Sequence, residues 1–354
     1  MRNWPFIFFF VVILAGCNKD SMDAADSIND RTDEPKPYFI DYPQGFPEFP
    51  IPADNPMTKE GVALGKRLFF DPILSLDNSQ SCGSCHAQGF GFTDSGKQFS
   101  IGVDGSIGER NSMQLFNLGY MNSLFWDGRN QTLEEQALEP VPNPIEMKLE
   151  WVEAEQRLNA HEEYPGLFKV VYGIDYVDSI HVAKAIAQFE RTLISGNSKY
   201  DKWLRGEAEL TTLELNGKRL FESEEADCFH CHGAPLFTDN IFHNNGLKET
   251  ITDLGLGGVT GQSSDEGRFK TPTLRNIAET APYMHDGSIE TLEEVVTFYN
   301  QGVHQNSPNI DPLMLKDNRP DGSLGLSQDE VNALVAFLRT LSDEEFLQNP
   351  AHQH

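Results

Sequence analysis

One sequence module occurs twice in this chain. Residues 64–94 ("LGKRLFFDPILSLDNSQSCGSCHAQGFGFTD") and 216–239 ("NGKRLFESEEADCFHCHGAPLFTD") both contain Gly-Lys-Arg-Leu-Phe, then a loop, then Cys-x-x-Cys-His, then Phe-Thr-Asp. The loop is shorter in the second copy. Such self-similarity indicates duplication of a structural module. We therefore expect two similar domains that face each other.

The cysteines define the chemistry of the repeated module. The chain has five cysteines, and four of them fall in two Cys-x-x-Cys-His motifs. This motif is the attachment signal for haem c, in which both thiols add to the haem vinyl groups and the histidine can ligate the iron. The sequence therefore predicts two covalent haems, held by Cys82, Cys85 and His86 and by Cys228, Cys231 and His232.

Zinc binding, redox chemistry and disulfide formation are three other uses of paired cysteines. A structural zinc site typically has its Cys pairs about 15–20 residues apart, and these pairs lie far further apart. A thioredoxin-like dithiol belongs in a βαβ context and does not require a following histidine. Disulfides stay an alternative if the protein is exported. We interpret His230, inside the second motif, as a variable position.

The N-terminus indicates export. Arg2 precedes an apolar run from Phe6 to Leu14, which is too short for a membrane span. Leu-Ala-Gly-Cys, ending at Cys17, resembles the bacterial lipoprotein signal, with an ordinary signal peptide as the alternative. We expect a signal peptide at residues 1–16 and a disordered tether at 17–45, anchored through the lipid on Cys17 to a membrane of the periplasm or cell envelope.

Charge and hydrophobic periodicity limit the class of protein. The formal net charge of −27 disfavours nucleic acid as a partner, because the protein would repel phosphates. Apolar residues recur at helical spacing in 181–194 and 327–341, and Ser327 with Glu330 forms a capping-box pattern before the latter. Strand-like alternation is scarce, so the chain is predicted to be mostly α.

The chain resembles the bacterial dihaem cytochrome c peroxidases and their MauG-type relatives over roughly residues 46–342. The resemblance implies two cytochrome c-like domains: an N-terminal peroxidatic haem domain at 46–205 and a C-terminal electron-transfer haem domain at 206–345. It rests on the segments "LGKRLFFDPILSLDNSQSCGSCH", "RNSMQLFNLGYMNSLFWDGR", "EQALEPVPNPIEM", "FERTLISGNSKYDKWLRG", "DCFHCHGAPLFTD" and "GRFKTPTLRNIAETAPYMHDG".

The same resemblance implies catalytic roles for four side chains. His86 would be the proximal ligand of the peroxidatic haem, Gln136 and Glu146 would line its distal pocket, and Trp126 would lie between the haems. A buried carboxyl suits the chemistry, because peroxide cleavage needs a group that takes and returns a proton. From residue types alone, Glu146 would be a solvated loop acid, Gln136 an exposed helix position and Trp126 a core residue.

Two features depart from the peroxidase pattern. Residues 87–125 contain no histidine, whereas many dihaem peroxidases have one there that blocks the first iron at rest. We therefore expect an open or water-ligated iron that needs no prior reduction. Tyr299 occupies the position of the methionine ligand to the second haem, as in MauG-type enzymes. It also fits a core position of an amphipathic helix, and Met284 and Met314 are fallback ligands.

The resemblance further implies ionic contacts around the haems. A calcium ion between the domains would be held by Asn111 and by the backbone carbonyls of Thr280 and Pro282, since calcium prefers oxygen ligands. Asn111 is equally compatible with a turn. Arg268 and Lys270 are candidates for pairing with the haem propionates.

The resulting functional prediction is a cytochrome c peroxidase. It would reduce hydrogen peroxide to water with electrons from a small c-type cytochrome or a similar redox protein. One alternative is a MauG-type oxidase that oxidises a protein or another bulky substrate through high-valent haem. A plain dihaem electron carrier is the other, and a homodimer is compatible with the family.

Overall fold

The computed structural model describes residues 34–315 and 322–353, together with Met1. The predicted signal peptide, Cys17 and most of the predicted tether lie outside the described residues. Among the described helices, none has the length and apolar character needed to cross a membrane. Pro35–His354 forms one compact unit.

The prediction of a mostly helical fold is confirmed. Two short strands, β1 (Phe242–His243) and β2 (Phe269–Lys270), pair antiparallel. In the described part of the chain, the helices are α1 (Lys59–Phe70), α2 (Cys82–Cys85), α3 (Leu133–Leu138), α4 (Trp151–Ala160), α5 (Tyr164–Tyr172), α6 (Ser179–Glu190), α7 (Lys199–Leu204), α8 (Thr212–Phe221), α9 (Leu256–Thr260), α10 (Leu292–Gln301), α11 (Gln328–Arg339) and α12 (Glu344–Leu347).

Two packed helix pairs are the structural counterpart of the sequence repeat. In the first half, α1 packs on α6, and in the second, α8 packs on α11. A Cβ atom on Gly65 would lie 1.8 Å from the carbonyl oxygen of Ala185, and one on Gly217 would lie 1.9 Å from that of Ala333. The glycine of the repeated Gly-Lys-Arg-Leu-Phe sequence is therefore required for close helix approach.

The duplication extends beyond the segments found in the sequence. Asn117 and Asn276 both adopt the left-handed conformation at the start of a short 3₁₀ turn. Each is followed by an Asp-Gly turn and then by a capping box, formed by Thr132 with Glu135 before α3 and by Thr291 with Glu294 before α10. The two halves thus share a second loop-and-helix unit.

Each half has its own hydrophobic core. The first core includes Leu64, Leu68, Phe69, Phe92, Phe116, Phe168 and Phe189. The second includes Tyr200, Phe221, Phe237, Val331, Leu334 and Phe337.

The C-terminal segment returns to the first half. Phe346 and Leu347 of α12 belong to the first core. The Gln88 side-chain amide donates to the carbonyl oxygens of Phe346 at 2.7 Å and Asn349 at 3.0 Å. These residues follow the end of the predicted C-terminal domain, 206–345, and they pack on the first half because its core and the Gln88 amide bind their apolar side chains and carbonyls.

The predicted tether, 17–45, extends too far. The Tyr38 N–H donates to the Met57 carbonyl at 3.0 Å, and the Lys59 N–H donates to the Lys36 carbonyl at 2.8 Å. Pro43 packs against the open side of Gly196. Residues 36–43 include the large side chains of Tyr38, Phe39, Ile40 and Tyr42, and the backbone groups of Lys36 and Tyr38 pair with the folded unit.

The two helices predicted from periodicity are present. The first is α6, which begins after the N-cap Asp178 and ends at Glu190, four residues before the predicted end. The second is α11, which ends at Arg339, and its Ser327–Glu330 capping box is present.

Candidate haem sites and the residues between them

The first Cys-x-x-Cys-His motif opens onto a cavity of about 570 Å³. Cys82, Cys85 and His86 lie in its wall, together with Gln136 of α3 and Glu146 of the following loop. Residues far apart in sequence thus meet in one cavity. The structure brings together the side chains that the family resemblance assigns to the peroxidatic site.

The second motif opens onto a smaller cavity of about 230 Å³. Its wall contains Cys228, Cys231 and His232 and also Tyr299, on α10. Trp126 lies in the walls of both cavities. Two adjoining cavities, each at a haem-attachment motif, match the predicted pair of haems.

Both motif histidines are oriented for iron ligation. Nδ1 of His86 lies 2.7 Å from the Phe92 carbonyl oxygen, and Nδ1 of His232 lies 3.0 Å from that of Phe237. A carbonyl oxygen only accepts, so the ring proton is on Nδ1 and the Nε2 lone pair is free. Burial lowers the pKa of both histidines, which keeps the rings neutral, as metal ligation requires.

The cysteines suit thioethers better than thiolate ligands. All four are free thiols, with no disulfide among them. Burial raises the pKa of Cys82 to about 12 and that of Cys85 to about 11. A zinc site or a redox dithiol relies on the thiolate, so the raised pKa values of Cys82 and Cys85 disfavour both alternatives at the first motif.

Lys270 supplies a buried positive charge between the cavities. It is 3% exposed and lies in both cavity walls. Its ammonium donates to the Ser123 carbonyl at 2.8 Å, and no carboxylate pairs with it within residues 34–315 and 322–353. A buried cation calls for a counter-charge, which a haem propionate would provide. Arg268 does not line either cavity as the structure describes them.

Glu146 is held in the wall of the first cavity. The Asn143 side-chain amide donates to its Oε1 at 2.7 Å, and the Val103 N–H donates to its carbonyl at 2.9 Å. Burial raises the pKa of Glu146 and Arg129 opposes that shift. Residue type alone predicted a solvated loop acid, and the structure instead makes it a cavity carboxyl. Gln136, predicted to be exposed from residue type alone, is half-buried in the same wall.

Hydrogen bonds fix Trp126 at the boundary between the cavities. Its Nε1–H donates to the Asn111 carbonyl at 2.9 Å, and its own carbonyl accepts from the Lys270 N–H at 2.8 Å. The indole is therefore anchored through both its ring and its backbone. An oxidisable ring in this position is suited to electron transfer between the two sites.

Tyr299 and Met284, two candidate haem ligands in the second cavity, both accept a hydrogen bond from Asn245. The Asn245 amide donates to the Tyr299 hydroxyl at 3.0 Å and to the Met284 sulfur at 3.6 Å. Burial raises the pKa of Tyr299 to about 12. Met314 also lines this cavity. Sequence reasoning missed Asn245, for which only the structure supplies a signal.

A protonated histidine adjoins the second motif. His243 Nε2 lies 2.8 Å from Asp239 Oδ2, and its Nδ1 lies 2.6 Å from Asp311 Oδ2. Because both ring nitrogens donate to carboxylates, the imidazole is held as the cation. The hydrogen bond to Asp239 is the largest cause that raises the pKa of His243 to about 11.

The three residues that the resemblance implies for calcium line one cavity. Asn111, Thr280 and Pro282 all lie in the wall of the second cavity. The Asn111 amide nitrogen donates to the carbonyls of Lys97 and Gln98 at 3.2 and 3.1 Å. This use of the nitrogen leaves the Asn111 amide oxygen as the atom available to a cation.

Comparison with known sequences places the chain in a family. A profile described as di-haem cytochrome c peroxidase matches residues 59–209, and one described as cytochrome c matches residues 215–342. Cytochrome-c peroxidase IdrP1 of Denitromonas iodatirespirans is 36% identical over 84% of this chain and 86% of its own length. The chain belongs to the dihaem cytochrome c peroxidase family.

Members with different names are about equally similar. Cytochrome c551 peroxidase of Nitrosomonas europaea is 37% identical, covering 84% of each chain. Methylamine utilization protein MauG of Methylorubrum extorquens is also 37% identical, covering 83% of this chain and 82% of that protein. Among solved structures, a MauG-like protein associated with microbial copper homeostasis matches with a TM-score of 0.80 at 35% identity, covering 89% of this chain and 99% of that one.

Proposed function

We propose that this protein reduces hydrogen peroxide to water in the first cavity, with electrons that arrive through the second haem. The observation that carries the proposal is the shared wall. Trp126 borders both cavities, and the first cavity alone contains the motif histidine His86 together with the carboxyl of Glu146.

The residues of the two motifs would hold the haems. Cys82 and Cys85 would form thioethers to the first haem, with His86 Nε2 toward its iron, and Cys228, Cys231 and His232 would do the same for the second. When bound, haem c supplies an iron that exchanges single electrons and, where a coordination position is open, binds peroxide. Lys270 would pair with propionate charge at the boundary.

Glu146 would act as the general acid–base group of the reaction. Reduction of hydrogen peroxide consumes two electrons and two protons and yields two waters. Because the pKa of Glu146 is raised by burial, its carboxyl can both accept a proton from one peroxide oxygen and return it to the other near neutral pH. Asn143 orients the carboxyl, and Gln136 would hydrogen-bond peroxide or water.

The side chains that line the first cavity favour an iron that is accessible at rest. Among the described residues in its wall, His86 is the only histidine. Among these residues, no second imidazole is therefore available to ligate an iron that His86 would hold. We infer that peroxide reacts with the ferric protein without prior reduction.

A MauG-type oxidase is the second candidate, and Tyr299 favours it. A tyrosinate ligand stabilises ferric iron and lowers the potential of the second haem, whereas a methionine ligand raises it. The tyrosine hydroxyl lies in the second cavity beside Asn245, and relatives named MauG match over most of the chain.

The two candidate ligands can be distinguished by paired variants. We expect Tyr299→Phe to change the ferric spectrum of the second haem to that of an iron missing one strong ligand, with Met284→Leu leaving it unaltered. The opposite result would assign Met284 as the ligand and remove the main support for the MauG-type alternative.

We also propose export and lipid attachment through Cys17, with calcium at Asn111, Thr280 and Pro282. The N-terminal pattern supports the first assignment, and the shared cavity wall of Asn111, Thr280 and Pro282 supports the second. Membrane fractionation of a Cys17→Ala variant tests the first, since loss of the lipid should move the protein to the soluble fraction. Metal analysis of the purified protein before and after chelation tests the second.

The experiment that tests the function is a stoichiometric peroxide assay. Haem-loaded protein is mixed with hydrogen peroxide and a reduced small c-type cytochrome, and both reactants are followed. Consumption of one peroxide per two cytochromes oxidised supports a peroxidase. A Cys82→Ala, Cys85→Ala variant serves as the control. No peroxide consumption by the ferric or the reduced protein would leave only an electron carrier.

A further inference from the structure

Glu190 is a buried carboxyl in the wall of the first cavity. It is the last residue of α6 and is 3% exposed. Its Oε2 is fully buried and has no hydrogen-bond partner. An unpartnered buried carboxylate oxygen is unfavourable, so this site favours the neutral acid unless a positive charge lies nearby.

The equivalent position in the second half is apolar. The alanines that contact the paired glycines, Ala185 and Ala333, set the register between α6 and α11. In this register Glu190 corresponds to Leu338, which lies in the wall of the second cavity. The fold therefore accepts a leucine at this position, and the carboxyl is a property of the first haem site rather than of the helix pair.

Glu190 lies close to the point where the first haem attaches. After burial, it is the largest influence that raises the pKa of the Cys82 thiol. In the haem-loaded protein that sulfur would be bonded to the haem, and the Glu190 carboxyl, in the same cavity wall, would then lie within electrostatic reach of it. Burial also raises the pKa of Glu190 itself to about 8.

We propose that Glu190 couples reduction of the first haem to uptake of a proton. The core of a ferric haem carries one more positive charge than that of a ferrous haem, so the carboxylate is stabilised beside the ferric state and is protonated more readily beside the ferrous state. The balanced step converts ferric haem, one electron, one proton and the Glu190 carboxylate into ferrous haem and the Glu190 carboxylic acid. The electron comes from the donor protein and the proton from solvent.

Other charges around Glu190 do not substitute for it. Arg191 lowers its pKa and Glu134 of α3 raises it, and these two pair with each other at 2.8 Å. The buried residues that α1 and α4 contribute to the core are apolar apart from two glycines of α1. The remaining charged groups in the wall of the first cavity are Glu109, Arg110, Arg129, Glu146, Asp253 and Lys270.

The proposal rests on the proposed function only in requiring haem c at the first motif, and its test needs no peroxide. The potentials of both haems are measured by spectroelectrochemistry as a function of pH. We expect the reduction potential of the first haem to decline with rising pH by up to about 59 mV per pH unit. This value corresponds to a tenfold change in an equilibrium constant for a one-electron couple. Glu190→Gln and Glu190→Leu should flatten this dependence. The second haem, which has Leu338 in this position, should keep its pH profile in both variants.

Infrared difference spectroscopy of the unaltered protein gives a test that does not depend on how the variants fold. Reduction of the first haem should produce the C=O band of a protonated carboxylic acid, which persists in Glu146→Gln. Absence of the band, or its loss in Glu146→Gln with retention in Glu190→Gln, would overturn the proposal. An unchanged pH slope in the Glu190 variants would do so as well. If peroxide reduction fails but the slope and band appear, only the proposed function is wrong.

Discussion

The two halves share a helix-pair framework and differ in the walls of their cavities. In both, a glycine of the repeat contacts an alanine carbonyl, and a motif histidine donates Nδ1–H to a loop carbonyl. The first cavity is larger, and its wall contains the half-buried Glu146 and the buried Glu190. The second is smaller, and Tyr299 and Met284 lie in its wall.

This difference shows how one duplicated module can support two tasks. The shared framework fixes where a haem attaches and which ring nitrogen faces it. The side chains added to each wall decide whether the iron has room and a proton-transfer group, or protein ligands that close it. We therefore expect a substitution in the wall of one cavity to change the haem site of that half. Equivalent framework substitutions in the two halves should destabilise the protein to a similar extent.

Removing the Glu146 carboxyl from the wall of the first cavity should have the largest effect on activity. Glu146→Gln is expected to lower the rate of peroxide reduction about 10²–10⁴-fold, the usual range for loss of a general acid–base group. Haem content and the potential of the second haem should not change. Steady-state kinetics would measure this, with Glu139→Gln as the control for an exposed acid nearby. Equal losses in both variants would contradict the assignment.

The pH profile adds a second check on Glu146. Because its pKa is raised by burial, its basic form is lost at a higher pH than for an ordinary glutamate. Activity should therefore decline on the acid side at a pH above the ordinary glutamate pKa, and this limb should be absent from the residual activity of Glu146→Gln.

Trp126 links the halves, so its substitution should slow transfer between them. Trp126→Phe is expected to reduce the rate of electron transfer from the second haem about tenfold, equivalent to ~1.4 kcal/mol of activation free energy. Trp151→Phe is the matched control, because the Trp151 indole also donates to a carbonyl, that of Leu138 at 3.0 Å, but lines neither cavity. An unchanged transfer rate in Trp126→Phe would exclude the indole as the route.

Framework substitutions should have smaller and matched effects. Gly65→Ala and Gly217→Ala each force a Cβ against a helix carbonyl, and each should destabilise the protein by about 1–3 kcal/mol. Gly166→Ala, inside α5 with open space around it, should instead stabilise by ~0.5–1 kcal/mol. Thermal unfolding of the haem-loaded variants measures this. A large effect in one half only would mean that the halves do not share this framework.

Local patterns predicted much of the fold. Helical periodicity located α6 and α11, and the Ser327–Glu330 capping box set the start of α11. The cysteine spacing identified both haem motifs. The hydrogen bond from each motif histidine to a nearby carbonyl follows from the short loop after that histidine. Family membership supplied Gln136, Glu146 and Trp126, which residue type alone assigned to solvent or to the core.

The features that the sequence did not predict depend on contacts between distant segments. Glu190 falls in an amphipathic helix, and only packing against the first motif shows that it faces a cavity. The return of Phe346 to the first core follows from space left in that core. The repeated Thr-Leu-Glu-Glu at 132–135 and 291–294 was the available signal for the longer duplication.

We expect the first iron to be accessible at rest while the second serves as its electron relay. The decisive experiment is rapid mixing of the fully ferric, haem-loaded protein with hydrogen peroxide. We expect an immediate change in the haem spectrum, at a rate that prior reduction of the second haem does not increase. A ferric protein that stays unchanged until the second haem is reduced would contradict the account and would mean that a ligand closes the first iron.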